Sequence, residues 1–156
     1  MKIIFAGLYY VFALNTFQAS SFKGDYYIAL SSEDTVKINL QLSSISSSRS
    51  NEMLALSGAL LMKKSGFLKS GKDKLALFEK GKIMLETSIK KEYQNAEYRF
   101  LRLVIQENCP AILKYHDQVN DDAQQIRNSF QLFAPAVKKA IRDYAKKSKT
   151  LKEDEF

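Results

Sequence analysis

Between Lys72 and Lys91 the residues Leu77, Phe78, Gly81, Met84, Leu85, Ser88 and Ile89 recur by three and four. That period places apolar and small side chains on one continuous stripe of a helix, and such a stripe is stable only when another element covers it. The covering element has to come from the rest of the chain. Glycine (6) and proline (2) are scarce among 156 residues, which argues against the many turns of a β-sandwich or barrel. With 46% hydrophobic and 26% charged residues the chain can fill a core, and its length suits one ordinary domain or two very small ones. The expectation is an all-α fold of five to six helices stacked as antiparallel pairs.

The start of the chain reads as an export signal. Met1 and Lys2 precede an uncharged run from Ile3 to Leu14, and the next charge is Lys23. Ala19, Ser20 and Ser21 offer small residues at the exit, with cleavage before Phe22. The run falls short of the roughly 20 apolar residues that a transmembrane helix needs. A buried N-terminal helix is the competing use of the same residues. The expected division is a secretion signal over 1–21, one helical domain over 22–147 and a polar tail over 148–156, with fraying from Lys146 to Phe156.

Within the domain, Ser31 to Asp34 supply cap residues and acids for a helix from Ser32 to about Ser44, with Val36, Leu40 and Ile45 on its inner side. The alternation Val36, Ile38, Leu40, Leu42 also fits a strand. The run Ser43 to Ser50 is polar enough for a loop or a helix end. Asn51 caps a second helix carrying Leu54, Ala55, Gly58, Leu61 and Met62, and Gly58 among small residues suggests a close helix crossing. Gly66 and Gly71 mark a break before the striped helix. On the outer side of that helix Lys82, Glu86 and Lys90 are spaced for salt bridges.

Asn95 can cap a helix from Ala96 to Glu107 that is apolar around most of its circumference, as suits the centre of a domain. Pro110 ends it. A helix from Val119 to Phe133 and another opening at Pro135 follow.

The residues Phe78-Glu79-Lys80-Gly81, Met84-Leu85, Ser88-Ile89 and Asn95-Ala96-Glu97 resemble the second helix of a tetratricopeptide repeat running into the first helix of the next. Tyr93 stands about where that repeat's proline falls, and no full 34-residue copy recurs, so at most one and a half repeats match. The stretch Arg99-Phe100-Leu101-Arg102, then Gln106-Glu107-Asn108, then Pro110 is similar to the core of a group of uncharacterised small helical bacterial proteins. The likeness extends over about Asn51 to Asp122. These resemblances imply a tetratricopeptide-like helical array with a groove for a peptide or protein.

Arg99, Arg102 and Gln106 share one face of the central helix and form the best candidate cluster, able to hold a carboxylate or phosphate. The structural alternative pairs the arginines with acids of a neighbouring helix, such as Glu86 or Glu97. Tyr98 and Tyr115 are read as exposed aromatics offering contact area. Glu107, Asn108 and His116 gather near the helix end, with Asp117 beside them, either for acid–base work or as a turn network. Cys109 is read as a small buried residue rather than a nucleophile.

One cysteine and one histidine exclude a disulfide framework and histidine-cluster metal chemistry. No phosphate-loop, dinucleotide, zinc-protease or serine-elbow motif occurs. No cofactor or metal is expected. The net charge is +7, and residues 63–91 hold nine lysines against Asp73, Glu79 and Glu86. Such a surface suits an acidic protein or peptide, or peripheral contact with an anionic membrane, and otherwise a solvated face. Nucleic acid is set aside because no basic tract interleaved with aromatics occurs.

The functional expectation is an exported, non-enzymatic adaptor that binds a peptide or protein. Its alternatives are a small-molecule or lipid carrier, with a cavity beneath Leu77, Leu85, Leu101 and Phe130, and a hydrolase using Glu107 and His116.

Overall fold

A computed structural model describes residues 21–46 and 49–156. The expected secretion signal therefore lies outside the described residues, apart from Ser21. The chain is all-α, with no strand among the described residues. Its helices are α1 (21–31), α2 (Thr35–Ile45), α3 (Asn51–Ser65), α4 (Gly71–Lys91), α5 (Ala96–Asn108), α6 (Val119–Ser129) and α7 (Pro135–Ala145). Short 3₁₀ turns occupy Ala111–Leu113, Phe130–Leu132 and Glu153–Glu155.

Seven helices among the described residues exceed the expected five to six, and α1 is the one the sequence reading lacked. Tyr26 and Leu30 fall four apart on its inner face, with Tyr27 beside them, and all three are buried. The Tyr26 hydroxyl donates to the Leu56 carbonyl at 2.9 Å, and Lys23 bridges Glu52 of α3 and Glu97 of α5. These polar ties fix α1 to two helices at once.

The pairing is α3 with α4, α5 with α6, and α2 against α3, while α5 also touches α3, α4 and α7. Nine of the 13 residues of α5 are buried, which makes it the centre of the core. The closest crossing joins α3 to α4. A Cβ built on Gly58 would lie 2.6 Å from the Gly81 carbonyl oxygen, and one on Gly81 2.5 Å from the Gly58 carbonyl oxygen. Only two residues without side chains let these backbones meet. The Gly58 expectation thus holds, and Gly81 of the α4 stripe is its partner.

Three local expectations are corrected. First, α2 starts at Thr35, where the Asp34 carboxylate accepts from the amides of Val36 and Lys37. Its buried residues are Ile38 and Ile45, two turns apart, whereas Val36 and Leu40 are each 64% exposed. Second, Ser50 rather than Asn51 caps α3; Asn51 instead donates to the Ser88 carbonyl and to Glu92.

Third, the C-terminal segment does not fray. Leu151 is fully buried, and the Phe156 ring lies 4.8 Å from that of Phe130. Arg127 donates to the Thr150 carbonyl and pairs with Glu155 at 3.0 Å. Two apolar anchors and this arginine hold a segment whose composition alone is polar.

Candidate functional site

The arginine face of α5 is sealed. Arg102 grips Asp122 of α6 with two hydrogen bonds, Nε to Oδ2 and Nη2 to Oδ1, each 2.7 Å. Its third nitrogen donates to Glu86 of α4 at 3.0 Å. Arg99 adds a bond to Asp122 at 3.3 Å and another to the Tyr93 carbonyl at 3.1 Å, with its guanidinium 4.4 Å over the Tyr93 ring. Gln106 donates to Gln118 at 2.9 Å. Asp122 is 0% exposed and Arg102 4%.

Burial disfavours the charged form of Arg102, but the Asp122 bond and the charges of Asp122 and Glu86 more than offset this, so the guanidinium is held above its ordinary value. Two arginines meet two carboxylates, and the cluster is closed to a ligand of appreciable size. It leaves Arg99 Nε and Gln106 Oε1 buried without partners.

Of the acids proposed as partners, Glu86 takes part and Glu97 does not; Glu97 accepts from Lys23 and from the Tyr27 hydroxyl. Glu86 is also not the outer salt-bridge residue that its spacing from Lys82 and Lys90 suggests. It turns inward, accepting from Arg102 and from the Tyr115 hydroxyl at 2.5 Å. Asp122 was missed. Its signal was present, since Asp122 and Ile126 are four apart on the stripe that Ala123 and Ile126 bury, and an acid there needs a cation.

The aromatic expectation is overturned. Tyr98 is 2% and Tyr115 5% exposed, so neither offers surface to a partner. Burial first, and then Glu86, push the Tyr115 phenol above its ordinary value; burial and Glu92 do the same to Tyr98.

At the end of α5 the structure shows a turn and tail network. Glu107 accepts from the Tyr144 hydroxyl at 2.7 Å, from Ser148 and from the Thr150 amide at 2.9 Å. The His116 Nδ1–H donates to the Gln106 carbonyl at 2.8 Å. No hydrogen bond joins Glu107 to His116. The Cys109 thiol is only partly buried, and desolvation pushes it up, away from the reactive thiolate. Among the described residues no three His, Cys, Asp or Glu side chains gather as a metal site.

The opposite side of α5 is open. Arg102 and Gln106 each stand two residues from Val104, so at 100° per residue both point about 160° away from it. Val104, Phe100 and Ile105 floor a cavity of about 500 Å³, walled by α1 through Tyr27 and Ile28 and by α7 through Ala136 and Ala140. A second cavity of about 510 Å³ lies beside it, between the 65–71 break, the start of α4 and the turn Ala111–Leu113. Both are lined by Glu33, Lys63, Ile105 and Asn108. They adjoin at these residues as two lobes of a trough, with the Lys63–Glu33 ion pair at 2.8 Å where they meet.

Of the eight candidate residues only Asn108 lines this trough; it donates to the Tyr144 hydroxyl at 2.8 Å and so ties floor to wall. None of Leu77, Leu85, Leu101 and Phe130 lines either lobe, and the last three are packed into the core. No protein-family model, curated protein or solved structure matches the chain.

Proposed function

We propose that the protein is an exported, non-enzymatic helical binding protein, and that the trough over α5 seats a segment of a peptide or protein partner. One observation carries this reading. The two lobes adjoin through shared lining residues, and each carries an exposed isoleucine, Ile28 in one and Ile112 in the other. Apolar surface gathered in a concave site, with polar groups at its edge, is the usual form of a binding surface. The groups that would suit a hydrolase are otherwise engaged, Glu107 by the tail and His116 by a backbone carbonyl. Export rests on the charge, length and exit residues of the first 21 positions. Kinship with tetratricopeptide-like arrays belongs to the same proposal, supported by the pairwise stacking of helices.

The test is site-directed photocrosslinking in the native host. A benzoyl-phenylalanine at Ile28 or Ile112 should capture the same partner, and one at Leu132 or Tyr93, exposed outside the trough, should not. Equal capture from all four positions overturns the reading, as does capture that persists after Ala140→Trp fills the trough.

A further inference from the structure

The trough also constrains the chemistry of its occupant, and the following rests on the binding reading above. We infer that the partner segment is an acidic amphipathic helix, laid between α1 and α7 with its apolar stripe against Ile28, Val104 and Ala140.

The charges select the sign. The trough carries two acids, and both are already neutralised: Glu33 by Lys63 at 2.8 Å, Asp143 by Lys139 at 2.5 Å and by Lys146 at 3.0 Å. Two lysines of the lining stand outside these pairs, one in each lobe. Lys147, beyond α7, lies 5.7 Å over the Tyr144 ring, and Lys74 stands on the exposed first turn of α4. Among the described residues Lys74 pairs with no carboxylate, and Lys147 acts on Glu33 only from beyond ion-pair distance. An occupant bearing carboxylates toward the rim would satisfy both, whereas a basic one would meet them as like charges.

The walls select the conformation. Both walls of the α1–α7 lobe are helices, whose mid-length backbone groups are already bonded within them, so an extended peptide finds no ladder to join. A helix satisfies its own backbone and needs only side-chain contact. Gly24 on one wall, with Ala136 and Ala140 four apart on the other, keeps both walls low and lets a third helix approach. From Ala136 to Lys147 the wall is about 16 Å long at 1.5 Å per residue, which accommodates three turns of a helix.

The open side excludes an acyl chain as the better occupant. A three-sided trough leaves the fourth side of its ligand in water, where exposed hydrocarbon is unfavourable by about 25 cal/mol per Å². An amphipathic helix presents polar residues there.

The experiment uses the full 156-residue chain and fluorescein-labelled synthetic helices of about 18 residues, read by anisotropy. One peptide carries Leu at i, i+3, i+4 and i+7 with Glu elsewhere; a second replaces every Glu by Lys; a third scrambles the Leu positions of the first. The acidic amphipathic peptide should bind, the basic one about tenfold or more weaker, and the scrambled one not measurably. Lys74→Glu with Lys147→Glu, both at exposed sites, should weaken the acidic peptide about tenfold or more and leave the melting temperature in place. Ala140→Trp should block it; should that variant fail to fold, the lysine reversals alone decide. Equal binding of the acidic and basic peptides overturns the acidic assignment while leaving the groove reading intact. Saturable binding of laurate, abolished by Ala140→Trp, with no peptide bound, overturns the helix in favour of a lipid ligand. Peptide binding indifferent to Ala140→Trp and to the lysine reversals overturns the groove reading itself.

Discussion

Two sides of α5 treat polarity in opposite ways. On one, Arg99 and Arg102 are drawn into the interior and matched by Asp122 and Glu86, with Tyr115 closing over the carboxylate. On the other, Val104 stays part-exposed at the floor of a trough, with Phe100 and Ile105 buried beneath it. In most helices the polar residues face water and the apolar ones face the core. Here the charged side fixes neighbouring helices in place, so the guanidiniums maintain the architecture, while part of the apolar side lines a surface depression.

The sharpest way to break this contrast is Asp122→Ala. It strands two buried guanidiniums and should cost about 3–5 kcal/mol, read by urea unfolding, or abolish soluble expression. A loss below about 1 kcal/mol would show the cluster to be dispensable and reopen the arginines as a ligand site.

Alkaline titration tests the sealing from another direction. Burial, the first cause in each case, raises the phenols of Tyr26, Tyr27, Tyr98, Tyr115 and Tyr144 above their ordinary value. A phenol kept neutral by the fold stabilises it fully below the unfolded pKa near 10 and loses that contribution as pH rises beyond it, each by about 1.4 kcal/mol per pH unit until its folded value is reached. Tyrosinate absorbance from these rings and loss of helical circular dichroism should therefore coincide. Their ionisation with the helices intact would show rings that water reaches.

A smaller effect separates the trough wall from the core. Glu107→Gln weakens the bonds to Tyr144, Ser148 and Thr150 and should cost about 1–2 kcal/mol. Hydrogen exchange should quicken in α7 and in 148–156 while α3 and α4 stay protected. Smallest of all, Lys147→Ala should shift stability by less than about 0.5 kcal/mol, because this exposed side chain makes only a ring contact. A larger loss would make it a structural residue rather than a rim contact.

The helices α3 to α7 were legible because their buried residues repeat by three and four, and the pairing of Arg102 with Glu86 was one of the alternatives left open. What escaped did so for physical reasons. In α2 the alternation of Val36, Ile38, Leu40 and Leu42 gives no single helical face, and only tertiary contact with α3 chooses Ile38. The C-terminal segment is held by two side chains, Leu151 and Phe156, too few to make a pattern. Tyr98 and Tyr115 were taken for surface because a phenol suits both environments, and nothing in the local sequence said that Glu86 would turn inward to meet one of them. The trough is beyond any local reading: its lining comes from α1, the α1–α2 turn, α3, α4, α5, α7 and the connections between them.

The way residues 148–156 lie back over α6 and the end of α5 has a consequence for the order of assembly. Leu151, Phe156 and the Ser148 and Thr150 donors to Glu107 all follow α7 in sequence, yet they anchor the wall that α7 provides. The arginine lock between α4, α5 and α6 needs none of them, so the helices it joins can assemble before α7 is anchored.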